Sequence, residues 1–135
     1  MTTQAIIDLI MSMAPIFGIE PKVALAVAAI ESSFNPNAVG GAGEIGLFQI
    51  MPDLGQKRGF TRRQLKDPAV NVFVGLSMLA EAKDNCPHKR GITYLICYNY
   101  GARNAKKVKH PTLFPYVKRA QAAMKTNLIS SQVKK

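Results

Sequence analysis

After Asp84 the sequence contains no acidic residue. All eight Asp and Glu lie at or before that position, where seven Lys and Arg leave a net charge of −1. The remaining 51 residues carry eleven Lys and Arg, so the C-terminal part is a cationic surface by composition alone. Such a surface serves solubility, or it attracts an anionic polymer or a nucleic acid. Stacking aromatics interleaved with basic residues would favour nucleic acid, and only YNYGARNAKKVKH, residues 98–110, comes near that pattern.

Long hydrophobic runs are missing too: no stretch of 18 apolar residues is present to cross a bilayer as a helix. The N-terminal MTTQAIIDLIMSMAPIFGI lacks a basic segment and carries Asp8 inside its apolar run, so no signal peptide is expected. Cysteine is scarce. Cys86 and Cys97 alone cannot make a zinc site and are not spaced as CxxC, and no metal or cofactor is expected. If the residues between them form a helix-turn-helix, Cys97 lies about two helical turns from the turn beside Cys86, on the order of 10 Å. That is too far for a bridge, so both are expected as free thiols, compatible with a reducing compartment. At 135 residues the chain suits one domain able to bury roughly two thirds of its unfolded surface.

Strand-like alternation is nearly absent, whereas helical spacing is plentiful. Ile6, Ile10, Met13 and Phe17 repeat along a helix from Thr3 to Phe17, with Gly18 where a C-terminal cap belongs. Glu20-Pro21 opens a second helix, Lys22 to Ser33, apolar nearly all round and therefore expected inside the domain. Four glycines in residues 37–46 predict a loop or short hairpin. Asp67-Pro68 starts a helix to Asn85 with Val72, Phe73, Leu76, Leu79 and Ala80 on one face. Further helices are expected from Gly91 to Tyr100 and from Phe114-Pro115 to Lys125. The expected architecture is mainly α, a single domain over residues 1–126 around a central buried helix. At most a short β-hairpin or loop is expected near residues 37–48, and residues 127–135 form a basic C-terminal tail.

Glu31 does not fit its surroundings. Val27, Ala28 and Phe34 are its helical neighbours, so a carboxylate stands on a face made of carbon. Desolvation disfavours the anion, and the negative end of the helix dipole disfavours it further, which predicts a raised pKa. A carboxyl group protonated near neutral pH can give its proton to a leaving-group oxygen, as in glycosidic cleavage.

The residues around it point to a family. Glu31-Ser32, Asn35-Pro36, a glycine-rich loop and GLFQIMP at Gly46 to Pro52 resemble the catalytic domain of the soluble lytic transglycosylases, which share the goose-type lysozyme fold. The resemblance continues through Asp67-Pro68, Asn71, Gly75 and Leu79 at D-P-x-x-N-x-x-x-G-x-x-x-L. It then takes in Tyr98-Asn99 and Gly101 at Y-N-x-G, and Tyr116-Val117. It implies a lysozyme-like, peptidoglycan-cleaving enzyme with Glu31 as sole catalytic acid and base. It further implies that Ser32, Gly46, Phe48, Gln49 and Asn99 serve the glycan cleft and that Tyr98 hydrogen-bonds to Glu31. Asn71, Gly75 and Leu79 are assigned to packing. Two positions depart from the family: Gly40 stands where serine is frequent, and Phe48 replaces the methionine of G-L-M-Q.

In the mechanism this implies, Glu31 protonates the oxygen linking MurNAc to GlcNAc and then takes the C6 hydroxyl proton as that oxygen closes onto C1. Two alternatives stay open: a muramidase using Glu31 with Glu44 or Asp53 as second carboxylate, and a non-catalytic cationic module binding wall or nucleic acid. The expected partners are peptidoglycan strands, with other virion or envelope proteins as candidates. The expected place of action is the periplasm or cell wall, reached in a phage particle or on lysis.

Overall fold

The computed structural model describes residues 1–133. Its centre is α2 (Pro21–Ser32), where Pro21 presets the first turn and alanines dominate the interior. Val23 through Ala28 are each no more than 1% exposed, so this helix is enclosed on every side, as its composition predicts. Its small side chains let α1 (Thr3–Met13) and the later α8 (Pro115–Met124) and α9 (Asn127–Val133) pack against it. α1 begins where the Thr2 hydroxyl accepts from the Ala5 amide, and it buries Ile6, Ile7 and Ile10. A 3₁₀ turn over Ala14–Phe17 follows, and Gly18 closes it at φ 71°, a left-handed conformation that glycine adopts without strain.

The other wall is α5 (Pro68–Asn85), capped by the Asp67 carboxylate, which accepts from the Ala69 and Val70 amides. It buries Val72, Val74, Leu76 and Leu79. Phe73, expected on the same face, is instead 44% exposed and stacks edgewise on Phe17, because one residue past Val72 turns it about 100° off the core stripe. Between α2 and α5 the chain forms two short helices that its sequence did not announce, α3 (Pro52–Lys57) and α4 (Arg62–Leu65). The glycine-rich segment before them has only isolated bridges, Val39 with Ile45 and Ile45 with Ile50, in keeping with the expected loop or hairpin.

Three expectations need correcting. The helix expected from Gly91 starts only at α6 (Leu95–Tyr100), because Gly91 takes φ 54° and residues 91–94 fold into turns. Cys97 therefore sits in the first turn of α6, 5.8 Å from Cys86 between Cα atoms, and the two form a disulfide rather than free thiols. The two helical turns expected between the turn and Cys97 are absent, because α6 begins only two residues before Cys97. Residues 127–133, expected within a tail, form α9. Ile129 and Val133, one turn apart, lay an apolar stripe onto the core, and Ile129 is 2% exposed. Lys134 and Lys135 of the expected tail lie outside the described residues. The short α7 (Ala102–Ala105) links α6 to the segment leading into α8.

Candidate active site

Glu31 occupies the last turn of α2, and two consecutive left-handed residues, Ser33 at φ 52° and Phe34 at φ 61°, turn the chain away immediately after it. The helix end therefore projects the carboxyl group into a cavity of about 220 Å³. Glu44, Gln49 and Asn99 bring polar atoms to this cavity; Phe48, Met51, Leu54 and Met78 form much of its apolar wall. Half-buried there, Glu31 has its pKa raised, chiefly by desolvation. A hydrogen bond from Tyr116 and the charge of Arg119 pull it partly back, and the charge of Glu44 pushes it up further.

The Tyr116 hydroxyl donates to Glu31 Oε2 at 2.8 Å. Tyr116 lies in the first turn of α8 and is 3% exposed; burial and nearby negative charge raise its own pKa, so it remains a proton donor. One turn later, Arg119 places its guanidinium 5.5 Å from the centre of the Tyr116 ring, a cation–π geometry. The family resemblance assigns the hydrogen bond to Glu31 to Tyr98. That hydroxyl instead donates to the Phe48 carbonyl at 3.4 Å, because α6 directs it across the cleft to the opposing loop. Tyr98 still lines the cavity, and its ring lies 6.4 Å from that of Tyr116.

The loop facing Glu31 is held by Asn71 of α5, which is 1% exposed. Its Oδ1 accepts from the Phe48 amide at 2.8 Å, and its Nδ2 donates to the carbonyls of Ile45 at 2.8 Å and Leu65 at 2.9 Å. The Phe48 ring is seated on Gly75, where a Cβ would lie 2.3 Å from a ring carbon. Phe48 is thus mostly core, 1% exposed, contributing a wall rather than a free contact surface. Gln49 completes the turn at φ 48° and donates from Nε2 to the Gly46 carbonyl at 2.9 Å. A non-glycine residue in that region is costly and concentrates at functional sites.

Several expected site residues are placed differently. The Ser32 hydroxyl lies 2.8 Å from the Leu47 carbonyl and 3.0 Å from that of Ala28, tying α2 to the loop without lining the cavity. Gly46 is buried at φ 76°, with Asn71 where a Cβ would stand, so it serves the loop's shape. Glu44 shares the cavity with Glu31, and its Oε1 accepts from the Ala42 amide at 2.8 Å. Asp53 opens α3 beside a different depression and is not part of this site. At Gly40 a Cβ would come within 2.7 Å of Glu44 Oε1 and Gln49 Oε1. A serine there would require both side chains to move, which gives the departure at Gly40 a steric reason. Among the described residues, no group of three or more His, Cys, Asp or Glu is arranged to hold a metal ion.

Sequence reasoning missed the role of Tyr116, which stands 85 residues from Glu31 with no spacing rule to connect them. Its only signal was its place in the Tyr116-Val117 match. Chemically, the arrangement offers one carboxyl group poised to lose a proton, and a fixed donor to receive its anion.

Residues 8–113 match the family model described as the transglycosylase SLT domain. Among similar proteins, membrane-bound lytic murein transglycosylase C of Actinobacillus pleuropneumoniae serotype 5b (strain L20) is 33% identical over 117 residues, covering 76% of this chain and 32% of that protein. The transglycosylase of Enterobacteria phage PRD1 is 32% identical over 89 residues, covering 66% of this chain and 32% of that one. The chain thus spans about a third of the length of these relatives. Its fold matches the X-ray structure of an inactive glutamate-to-glutamine mutant of lytic transglycosylase Slt from Pseudomonas aeruginosa. The TM-score is 0.76 at 21% identity, covering 94% of this chain and 24% of that chain.

Proposed function

The chain belongs to the transglycosylase SLT domain family, and on that premise we propose that it cleaves the β-1,4 bond between MurNAc and GlcNAc in peptidoglycan, leaving a 1,6-anhydroMurNAc end. One observation carries the reading: a half-buried Glu31 with a raised pKa, in a cleft, accepting a hydrogen bond at 2.8 Å from the hydroxyl of a buried tyrosine. Glu31 gives its proton to the linking oxygen as the C1–O bond breaks. The substrate's N-acetyl oxygen supports the charge developing at C1. Glu31, now anionic and stabilised by Tyr116 and the Arg119 charge, takes the C6 hydroxyl proton as that oxygen bonds to C1. The first proton leaves on the released hydroxyl, the C6 proton restores Glu31, and no water is consumed.

Glu44 supports a second reading, hydrolysis, because it alone of the two candidate carboxylates shares the cavity with Glu31. In that role it would activate water, as the second carboxylate of a glycosidase does. The exposed Arg103, Lys106, Lys107 and Lys109, on and after α7, are assigned to holding the enzyme near an anionic wall. Action in the periplasm or wall, after carriage in a phage particle or release on lysis, fits the Cys86–Cys97 bridge, since disulfides persist in oxidising spaces. The resemblance to a phage protein also supports it.

Glu31→Gln tests the reading. It should abolish clearing of a purified wall suspension while circular dichroism stays unchanged, because the amide keeps the shape and cannot cycle a proton. Activity within about tenfold of wild type would remove Glu31 from the chemistry.

A further inference from the structure

Away from the cleft, α5 carries part of an apolar patch that the chemistry at Glu31 does not use. Phe73 is 44% exposed there, with Phe17 edge-on at 5.3 Å between ring centres and Phe60 tilted against it at 6.0 Å. Ile16, beside Phe17 in the 3₁₀ turn, is 78% exposed. Phe73 and Met78 both belong to α5, and five residues at about 100° each set them roughly 140° apart around its axis. Met78 lines the Glu31 cavity, so patch and cleft face different sides of the molecule.

Cations border the patch. Phe60 lies between α3 and α4, and this segment carries Lys57, Arg58, Arg62, Arg63 and Lys66, all exposed, with no acid between Asp53 and Asp67. On the other flank Lys83 donates to the carbonyl of Gly18, the residue after Phe17, at 2.8 Å. Two acids stand near: Glu81 is paired with Arg58 at 2.6 Å, and Glu20 follows Gly18 by two residues. The surround therefore stays cationic. Exposed apolar side chains grouped in this way mark an interaction surface. A second copy of this chain is a poor occupant, because surfaces of like sign repel in a protein of net charge +10. A folded partner would need a shape matched to the rings. A lipid headgroup layer yields around them, takes aromatic and aliphatic side chains into its acyl boundary, and offers phosphate to the basic rim.

We propose that Ile16, Phe17 and Phe73 dock this domain on an anionic phospholipid surface, with the α3–α4 cations on the headgroup phosphates and the Glu31 cleft turned away from the lipid. Docked in this way, the domain keeps its cleft open to a polymer lying alongside the membrane. The docking does not depend on the chemistry assigned to Glu31, so its failure and the failure of the transglycosylase reading are separate results.

Co-sedimentation of the whole chain with vesicles tests this, comparing phosphatidylglycerol mixed into phosphatidylcholine with phosphatidylcholine alone. The protein should sediment with the anionic vesicles and stay behind with the neutral ones. Ile16→Ser combined with Phe73→Ser should weaken the binding about tenfold with circular dichroism unchanged, and Arg62→Gln combined with Arg63→Gln should weaken it by a similar factor. The chain has no tryptophan, so Ile16→Trp installs a single reporter, whose emission should move to shorter wavelength when anionic vesicles are added. If the serine variant fails to fold, that emission decides alone. An unshifted emission, no binding of wild type to anionic vesicles, or equal binding by wild type and a folded serine variant would overturn the docking. So would a larger loss from Lys106→Gln, Lys107→Gln and Lys109→Gln together than from the two serines, which would move the contact to the C-terminal cations. A wild-type dimer in sedimentation velocity that the serine variant loses would assign the patch to a second copy instead.

Discussion

Asn71 offers the sharpest test of how the cleft is built. Asn71→Ala removes three buried hydrogen bonds, at 2.8, 2.8 and 2.9 Å, that join α5 to the loop facing Glu31 and to the end of α4. At about 1 kcal/mol net for each bond the loss is roughly 3 kcal/mol. The Phe48 amide and two carbonyls lose a buried partner, which takes the total to about 3–5 kcal/mol. For a chain of this size each kcal/mol shifts Tm by about 4 °C, so melting should fall by roughly 12–20 °C. Circular dichroism melts and urea titrations would measure it. Asn71→Asp separates hydrogen bonding from cavity formation. An ionised carboxylate there faces the Ile45 and Leu65 carbonyls with no proton to give, while a protonated one can satisfy one of them. Burial favours its neutral form, so this variant should lose stability as pH rises through its folded pKa. Turnover by the folded fraction should survive while KM rises, because Gln49 loses its anchored loop before Glu31 loses its partner. An Asn71→Ala protein within about 1 kcal/mol of wild type would refute the assignment.

Three further outcomes follow from the site. Reducing the Cys86–Cys97 bridge, which spans a separation of 11 residues, should cost about 3 kcal/mol on the chain-entropy account and lower Tm by roughly 10 °C. It should also depress activity, since Tyr98 and Asn99 directly follow Cys97; an unchanged melt would contradict this. Because the fold raises the pKa of Glu31 above its ordinary 4.5, the native state holds that proton more tightly than the unfolded chain does. Wild-type stability therefore falls as pH rises from the unfolded value through the folded one. Glu31→Gln escapes this loss and should be the more stable protein at pH 8, with the gap closing near pH 4; a constant gap would show that ionisation is not its source. Tyr116→Phe removes the bond that favours the carboxylate, so the alkaline limb of the activity profile should move to higher pH, and a downward shift would refute the role given to that hydroxyl.

Helix positions were legible wherever local chemistry decided them: Gly18 as a left-handed cap, Asp67-Pro68 as a start, and the alanine-rich run of α2 as the buried centre. Glu31 stood out for the same kind of reason, a carboxylate among apolar neighbours. What stayed hidden depends on contacts distant in sequence. Gly91 at φ 54° and the turn that runs on through residue 94 bring Cys97 to Cys86, which a helical rise could not foretell. Tyr98 and Tyr116 are both aromatic donors near the cleft. Only the packing of α8 against α2 decides which hydroxyl reaches Glu31. Serines and an asparagine disguised α9 as a tail, and its stability comes from docking Ile129 rather than from propensity.

In the proposed reaction one carboxyl group, acting first as acid and then as base, closes the sugar on itself. Mass spectrometry of the muropeptides released from purified peptidoglycan tests it most directly. Wild type and Glu44→Gln should release products ending in 1,6-anhydroMurNAc, lighter by one water than reducing ends, and Glu31→Gln should release none. Predominantly reducing ends, lost together with activity in Glu44→Gln, would contradict it and identify a hydrolase with two carboxylates.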